Sequence, residues 1–378
     1  MLHGVTASGK TEIYIHLIQQ AIQAGKQVLY LLPEIALTTQ ITERLKRVFG
    51  NRLGIYHSKF PDAERVEIWR KQLTDNDYDV ILGVRSSVFL PFRRLGLVIV
   101  DEEHENTYKQ QDPAPRYHAR NAAIVLASMF GAKTLLGTAT PCIETYYNAV
   151  HGKYGWVQLT ERHQNVLLPH IEVVDIKELA RKKRMTAQFS PLLLQKIREA
   201  LEQKEQVILF QNRRGFAPMI ECRTCGWIPK CKNCDVSLTY HKGLNQLTCH
   251  YCGYTYEVPK SCPACGGRLI NRGFGTEKIE NDIKLIFPDA RVARMDLDTT
   301  RTRTAYERII ADFEDGKTDI LIGTQMVSKG LDFDRVSVVG ILNADSMMNY
   351  PDFRSYERAF QLMAQVAGRA GRKNKQGW

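Results

Sequence analysis

Short, continuously apolar runs alternate with amphipathic segments of helix length along this chain. The runs at 27–33 (QVLYLLP), Val80–Gly83, 97–101 (LVIVD) and 134–138 (TLLGT) are apolar at odd and even positions alike, as strands buried on both faces of a parallel sheet must be. Stretches such as 11–24 separate them, which predicts successive βα units and a doubly wound parallel sheet. A second series follows at 206–210 (QVILF), 319–323 (DILIG) and Val336–Leu342, again parted by helical segments such as 277–287. Two α/β lobes are therefore expected.

Lobe 1 is expected over residues 1–160, a linker over 161–190, and lobe 2 over 191–221 and 266–378, interrupted by a cysteine-rich insertion at 222–265. The linker carries the basic run Arg181, Lys182, Lys183 and Arg184, read as a solvated segment. Three residues precede Gly4 and six follow Arg372. The chain accordingly reads as the core of a longer protein whose first lobe lacks its first strand.

Composition narrows this picture. The net charge of +11, from 52 Lys and Arg against 41 Asp and Glu, invites a nucleic-acid partner. The surplus is thinly spread, with 18 basic against 15 acidic residues in 1–160. If eight cysteines bind two Zn²⁺ as thiolates, each site carries a net −2 and the total falls to +7. Residues 222–265 go from +3 to −1 on the same count, so the insertion is no electrostatic clamp. The sequence has no run of about eighteen apolar residues and no apolar leader, so we expect no membrane insertion and a cytoplasmic protein.

Gly4, Val5, Thr6, Ala7, Ser8, Gly9, Lys10 and Thr11 spell GxxxxGK[ST] at the start of a helical segment. In such a loop backbone N–H groups cradle phosphates, the lysine reaches the β/γ oxygens, and the threonine hydroxyl binds Mg²⁺. Asp101 and Glu102 open the acidic string DEEH at the carboxyl end of a strand, where α/β sheets place ligands. We assign Asp101 to Mg²⁺ and Glu102 to the attacking water of ATP hydrolysis. In lobe 2, Gln365 precedes Arg369 and Arg372, two arginines on one face if helical, suited to stabilising γ-phosphate charge when the lobes close.

Cys222, Cys225, Cys231, Cys234, Cys249, Cys252, Cys262 and Cys265 form four CxxC pairs, and tetrahedral Cys₄ zinc is the first choice, ahead of an iron–sulfur cluster. The pairs can combine in three ways. The fourteen residues between Cys234 and Cys249 suit a ribbon hairpin, whereas five between Cys225 and Cys231 leave little room for two knuckles on one ion. Nesting is favoured: 231, 234, 249 and 252 on an inner ion, 222, 225, 262 and 265 on an outer one. Filled Cys₄ sites are structural. Cys142 reads as a buried thiol, and His241 and His250 as surface groups.

Together GVTASGKT, LLPEIALTTQ (31–40), DEEH, GTATP (137–141), FQNRRG (210–215), GTQMVSKGLDF (323–333) and QVAGRAGR resemble the superfamily 2 helicases, in that superfamily's order. DEEH followed by YKQQ (108–111) and RYHAR (116–120), with eight cysteines inside lobe 2, narrows the resemblance to the bacterial replication-restart helicases, over essentially all 378 residues. The resemblance implies two RecA-like lobes and an ATP-driven 3′ to 5′ DNA helicase that acts at abandoned forks and helps reload the replicative helicase. It also implies that His104 couples the nucleotide site to DNA, that Gly330 and Asp332 lie near the nucleotide, and that Arg85, Ser86, Asn212, Arg213 and residues 33–38 contact a single strand. Tyr108 and Tyr117, flanked by Lys109, Arg116 and Arg120, suit base stacking with phosphate contact in the family's aromatic-rich loop. Here residues 112–115 (DPAP) replace a tryptophan of that loop, which weakens the stacking expectation.

The expected partners are forked and single-stranded DNA, single-strand-binding protein and other primosome proteins, engaged by a monomer. Two other readings compete: a different superfamily 2 translocase, such as a recombination or RNA helicase, and a zinc-ribbon binding module with a regulatory nucleotide site.

Overall fold

The computed structural model describes all residues except 34–38, 58–59, 164–165, 213–218, 235, 242–243, 250, 273–275, 297–298, 301, 325–326, 328–332 and 372–375. Two compact units divide the chain, Met1–Asn165 and Val166–Trp378. Among the described residues, no helix is long and apolar enough to cross a membrane.

The first unit runs β1 (Leu2–Gly4), α1 (Lys10–Gln23), β2 (Gln27–Leu31), α2 (Thr39–Phe49), β3 (Leu53–Tyr56), α3 (Asp62–Gln72), β4 (Val80–Gly83), β5 (Leu95–Asp101), α4 (Ala119–Met129), β6 (Lys133–Thr138), α5 (Ile143–Val150) and β7 (Val157–Leu159). Its seven strands form one parallel sheet in the order β3-β4-β2-β5-β6-β1-β7. Alternation of side chains explains the two-sided apolar runs. Leu29, Leu31, Ile81, Val98 and Val100 pack into one core, while Val28, Tyr30, Val80, Leu82, Leu97 and Ile99 pack into the other. Burying each such side chain contributes about 1.5–3 kcal/mol, so these central strands anchor the unit.

One expectation is corrected here. Lobe 1 does not lack a strand ahead of its glycine loop: Leu2–Gly4 forms it, pairing with β6 on one side and β7 on the other. Strands β3 and β7 are further elements that the apolar pattern did not reveal: a glycine interrupts β3, and β7 has three residues, two of them exposed.

The second unit opens with α6 (Ile176–Arg181) and α7 (Pro191–Glu202), followed by β8 (Gln206–Gln211). It continues through β9 (Met219–Cys222), β10 (Thr239–His241), β11 (Gln246–Thr248), β12 (Thr255–Glu257) and β13 (Leu269–Arg272). It closes with α8 (Thr276–Ile286), β14 (Val292–Met295), α9 (Arg303–Glu314), β15 (Ile320–Gly323), β16 (Val336–Leu342), α10 (Asp345–Met348) and α11 (Ser355–Ala367). A parallel four-stranded sheet, β14-β15-β8-β16, forms its centre. The segment expected as a linker is partly structured: Asp175 accepts from the N–H groups of Lys177 and Glu178 to cap α6, and fully buried Phe189 belongs to the lobe 2 core. Ser190 then caps α7, with Pro191 in its first turn.

The cysteine-rich insertion leaves β8 and returns before α8. Its root is an antiparallel pair, β9 with β13, that sets Cys222 opposite Leu269. Its body is a three-stranded antiparallel ribbon, β10-β11-β12, around a small core of Val236, Leu238 and Leu247.

Gly137, the glycine of GTATP, is required by packing. A Cβ there would lie 1.8 Å from the hydroxyl oxygen of Tyr14 on α1. Gly137→Ala is expected to lower stability by about 1–3 kcal/mol in urea unfolding. Pairing it with Tyr14→Phe, which removes that oxygen, should cost less than the two single changes summed.

Candidate functional site

Loop 4–9 joins β1 to α1 and presents the first backbone N–H groups of a fourteen-residue helix, donors with no partner inside the helix. Gly9 caps the helix at φ 85°, a left-handed conformation that glycine adopts without strain. Lys10 folds over the loop, donating from Nζ to the carbonyl of Gly4 at 2.8 Å and of Val5 at 3.3 Å. Thr11 follows on the helix. The loop residues 4–11 thus come together as a unit with the lysine at its mouth.

The acidic motif meets this loop at the end of β5. Asp101 pairs across the sheet with Gly137. Its Oδ1 accepts from the Tyr14 hydroxyl at 3.1 Å and from the Glu102 backbone N–H at 3.0 Å, and its Oδ2 from the Tyr30 hydroxyl at 3.3 Å. Burial pushes the Asp101 carboxyl up to about 6, with the charge of Glu102 adding to the rise and Lys10 opposing it. Burial, followed by the charge of Asp101, raises Tyr14 and Tyr30 well above the usual tyrosine range, so both remain neutral donors. Neither tyrosine was singled out from the sequence, where each looks like an ordinary apolar position.

Glu102 stands at φ 47°, left-handed for a residue with a Cβ, a conformation costing roughly 1–2 kcal/mol. Thr138 of GTATP donates to Glu102 Oε2 at 3.5 Å, and His104 Nδ1 lies 3.7 Å from the same oxygen. His104 also sits 2.8 Å from Thr138 Oγ1 and 3.4 Å from Thr140 Oγ1. The histidine expected to relay between sites is therefore wedged between the acidic motif and GTATP.

Oxygen donors from Thr11 and Asp101 are the hard ligands that Mg²⁺ favours, and the helix start with Lys10 suits an anionic phosphate chain, so the residues present fit a magnesium–nucleotide pair.

The loop after the acidic motif differs from expectation. Tyr108 is fully buried, and its hydroxyl lies 2.6 Å from the carbonyl of Asp101 and 3.1 Å from that of Leu31. It cannot stack on a base: the ring is core and the hydroxyl is engaged. Tyr117 is half-buried, edge-on to Phe89 with ring centroids 4.8 Å apart. Phe89 is 54% exposed, an accessible aromatic face that the sequence reading missed. It ends the 3₁₀ turn Arg85–Phe89, which also holds Arg85 and Ser86. Arg85 donates to the carbonyls of Thr107 and Lys109, both at 3.3 Å. Lys109 bonds the Arg116 carbonyl, and Arg116 Nε donates to the Gln111 carbonyl at 2.8 Å. Arg120 turns inward to Glu103 at 2.6 Å, which corrects its expected phosphate contact.

In the second unit Gln365 is buried on α11, and Arg369 follows the end of that helix. Asn212 follows the last residue of β8, and Pro33 follows β2, where its carbonyl accepts from Thr107 at 3.2 Å. Arg213, Gly330, Asp332, Arg372 and residues 34–38 lie outside the described residues.

All eight knuckle cysteines gather as the nested pairing requires. Cys222, Cys225, Cys262 and Cys265 form one cluster and Cys231, Cys234, Cys249 and Cys252 the other, with sulfurs of each cluster within 4.8 Å of one another. Backbone N–H groups point at the sulfurs: Thr224 donates to Cys222 and Asn233 to Cys231, both at 3.4 Å. The Cys225 N–H, opposed by desolvation, draws the Cys222 thiol down to about 6, whereas desolvation and then its neighbouring thiols push Cys234 up to about 12. Such packed sulfurs cannot all ionise without a cation among them, so the donor set fits tetrahedral Zn²⁺. His241 belongs to neither cluster.

Residues 1–148 match the DEAD/DEAH box helicase family, 231–256 the PriA DNA helicase Cys-rich region (CRR) domain, and 274–374 the helicase conserved C-terminal domain. Fold and site thus define a two-lobed RecA-like helicase core with a cysteine-rich zinc-ribbon insertion in its second lobe. More narrowly, its likeness is to PriA proteins. The chain is 44% identical over all 378 residues to replication restart protein PriA of Bacillus subtilis (strain 168), and 43% identical to those of Haemophilus influenzae and Rickettsia felis. It spans 47%, 51% and 58% of these relatives, about half their length. Among solved structures it resembles helicase MrfA bound to DNA, with TM-score 0.57 and 16% identity over all of this chain and 45% of that one. It also resembles RecG bound to a three-way DNA junction, with TM-score 0.53 and 15% identity over 98% of this chain and 38% of that one. Both likenesses concern the fold alone.

Elemental analysis is expected to find two Zn²⁺ per chain. The Cys222→Ser, Cys262→Ser double variant should keep one, because nesting puts both cysteines on the same ion. Either other pairing of the knuckles predicts loss of both.

Proposed function

We propose that this chain is the motor of an ATP-dependent DNA helicase that moves 3′ to 5′ and acts at stalled or abandoned replication forks to start primosome assembly. The observation that carries the reading is the joining of α1, which continues the Lys10 loop, to Asp101 through Tyr14, with the Glu102 N–H on the same carboxylate, in a chain matched along all its residues by PriA relatives. Lys10 and the loop N–H groups would bind the β- and γ-phosphates. Glu102, oriented by Thr138 and His104, would accept a proton from the attacking water. Mg²⁺, when bound by Thr11 and Asp101, supplies charge that eases phosphoryl transfer. Gln365, Arg369 and Arg372 would complete the site from lobe 2, with Gly330 and Asp332 near the nucleotide.

Two structural zincs would hold the insertion as a rigid, nearly uncharged body that meets the fork or its partners, among them single-strand-binding protein and other primosome proteins. For the single strand, Phe89 and Tyr117 offer rings beside Arg85, Ser86, Lys109 and Arg116. Asn212 and Arg213 would add backbone contacts. DNA rather than RNA is favoured by the names of the relatives that match all of this chain, which are replication restart proteins. We place the protein in the cytoplasm and read it as a monomer.

Hydrolysis of ATP should be stimulated more by forked or single-stranded DNA than by RNA, and a preference for RNA would refute the DNA reading. Glu102→Gln is expected to lower kcat by about 10²–10⁴-fold while nucleotide binding persists. Lys10→Ala should abolish both hydrolysis and unwinding. If it left DNA-dependent function intact, the chain would be a binding module with a regulatory nucleotide site.

A further inference from the structure

The surface loop that leaves the acidic motif is fastened to it at both ends. At the start, Tyr108 reaches the Asp101 carbonyl from inside the core. At the finish, Arg120, the second residue of α4, lays its guanidinium against Glu103, with Nη1 2.6 Å from Oε2. Glu103 is fully buried. Its Oε1 accepts from the Cys142 backbone N–H at 2.9 Å, and its Oε2 from the Thr145 hydroxyl at 2.8 Å. The same Arg120 nitrogen lies 2.7 Å from Cys142 Sγ and 3.3 Å from Thr145 Oγ1. The cluster therefore joins DEEH, the end of the loop and the start of α5.

Between these fastenings stands Glu102 in its left-handed conformation. Strain of this kind persists only where the surroundings over-determine it. On one side, tyrosine hydroxyls hold Asp101. On the other, Glu103 is held by its buried ion pair and by a backbone bond to the Gly137 carbonyl at 3.2 Å. A buried carboxylate parted from its countercharge is strongly disfavoured, so Glu103 follows Arg120.

The loop between the fastenings is bonded to itself. Gln110 N–H donates to the Tyr117 carbonyl at 2.9 Å, and the Gln110 side chain bonds the carbonyls of Pro113 and Pro115. A strand landing on it would shift it as one piece.

We infer that Arg120 is a positioning residue for hydrolysis: its ion pair with Glu103 keeps Glu102 in place and makes that placement depend on what the 109–119 loop binds. The inference rests on the proposed DNA-dependent ATPase and names the contact through which DNA acts.

The test compares the protein with its Arg120→Gln, Arg120→Lys and Thr145→Val variants, measuring ATP hydrolysis with and without saturating single-stranded DNA, the KM for ATP, DNA affinity and melting temperature. Misplacing a catalytic group by about 1 Å can cost ~100-fold, so the ratio of DNA-stimulated to basal kcat should fall at least about tenfold in Arg120→Gln. KM and DNA affinity should stay within about twofold, and Arg120→Lys, which keeps the charge, should recover part of the ratio. Thr145→Val removes one bond to Glu103 without unpairing a charge, and is expected to lower the ratio by a smaller factor. It decides the matter if Arg120→Gln does not fold. An unchanged ratio in the folded variants overturns the inference and leaves the ATPase reading standing. Absence of any DNA stimulation in the unaltered protein overturns both.

Discussion

A buried carboxylate at the end of a strand covered on both faces carries a desolvation cost of several kcal/mol, and the organisation of the first lobe follows from meeting it. Three acids leave β5 in succession, and each meets a different environment. Asp101 is met by tyrosine hydroxyls from α1 and β2, Glu102 by the hydroxyl of Thr138, and Glu103 by Arg120. These partners come from elements far apart in the chain, so closing the sheet and building the site are one event. The order β2-β5-β6-β1 brings the acidic strand within one strand of the phosphate loop's own strand, as ligand sites in open α/β sheets require.

The insertion obeys a different constraint. A segment of this size, with short strands and a handful of buried aliphatic residues, falls below what a hydrophobic core alone can hold together. Eight sulfurs in two sets of four would supply the missing cross-links once Zn²⁺ is bound. Because metal binding cancels the local positive charge, this body would act through shape rather than through attraction for phosphate. Tyr251, beside the Cys252 ligand, accepts from the backbone N–H of Phe353 at 3.2 Å, which ties the inner knuckle to the residues leading into α11.

Much of this was legible in the residues because it is local. A phosphate loop needs its glycines, lysine and threonine consecutively, and a knuckle needs two cysteines three apart, so spacing carries the chemistry. The nested pairing was legible too, from loop lengths. The central strands announced themselves by apolar runs, while β1 and β7 hold three residues each, a glycine interrupts β3 and an arginine interrupts β14. The aromatic loop was misread for a physical reason. Tyr108 and Tyr117 have the same chemistry and similar basic neighbours, and only packing separates a ring closed in the core from one at the surface.

By itself, then, the sequence determined the two α/β lobes, the phosphate loop, the acidic motif and the two sets of four cysteines, since each depends on neighbours along the chain. Tertiary structure alone decided which polar groups surround those motifs. Tyr14, Tyr30, Arg120, Cys142 and Thr145 leave no local signature, because their roles arise when strands remote in sequence bring a buried acid and its partners within about 3 Å, hydrogen-bonding range. The same closure turned Arg120 from an expected surface cation into the countercharge of Glu103, because a buried carboxylate beside a free guanidinium pairs with it rather than leaving both charges unmatched.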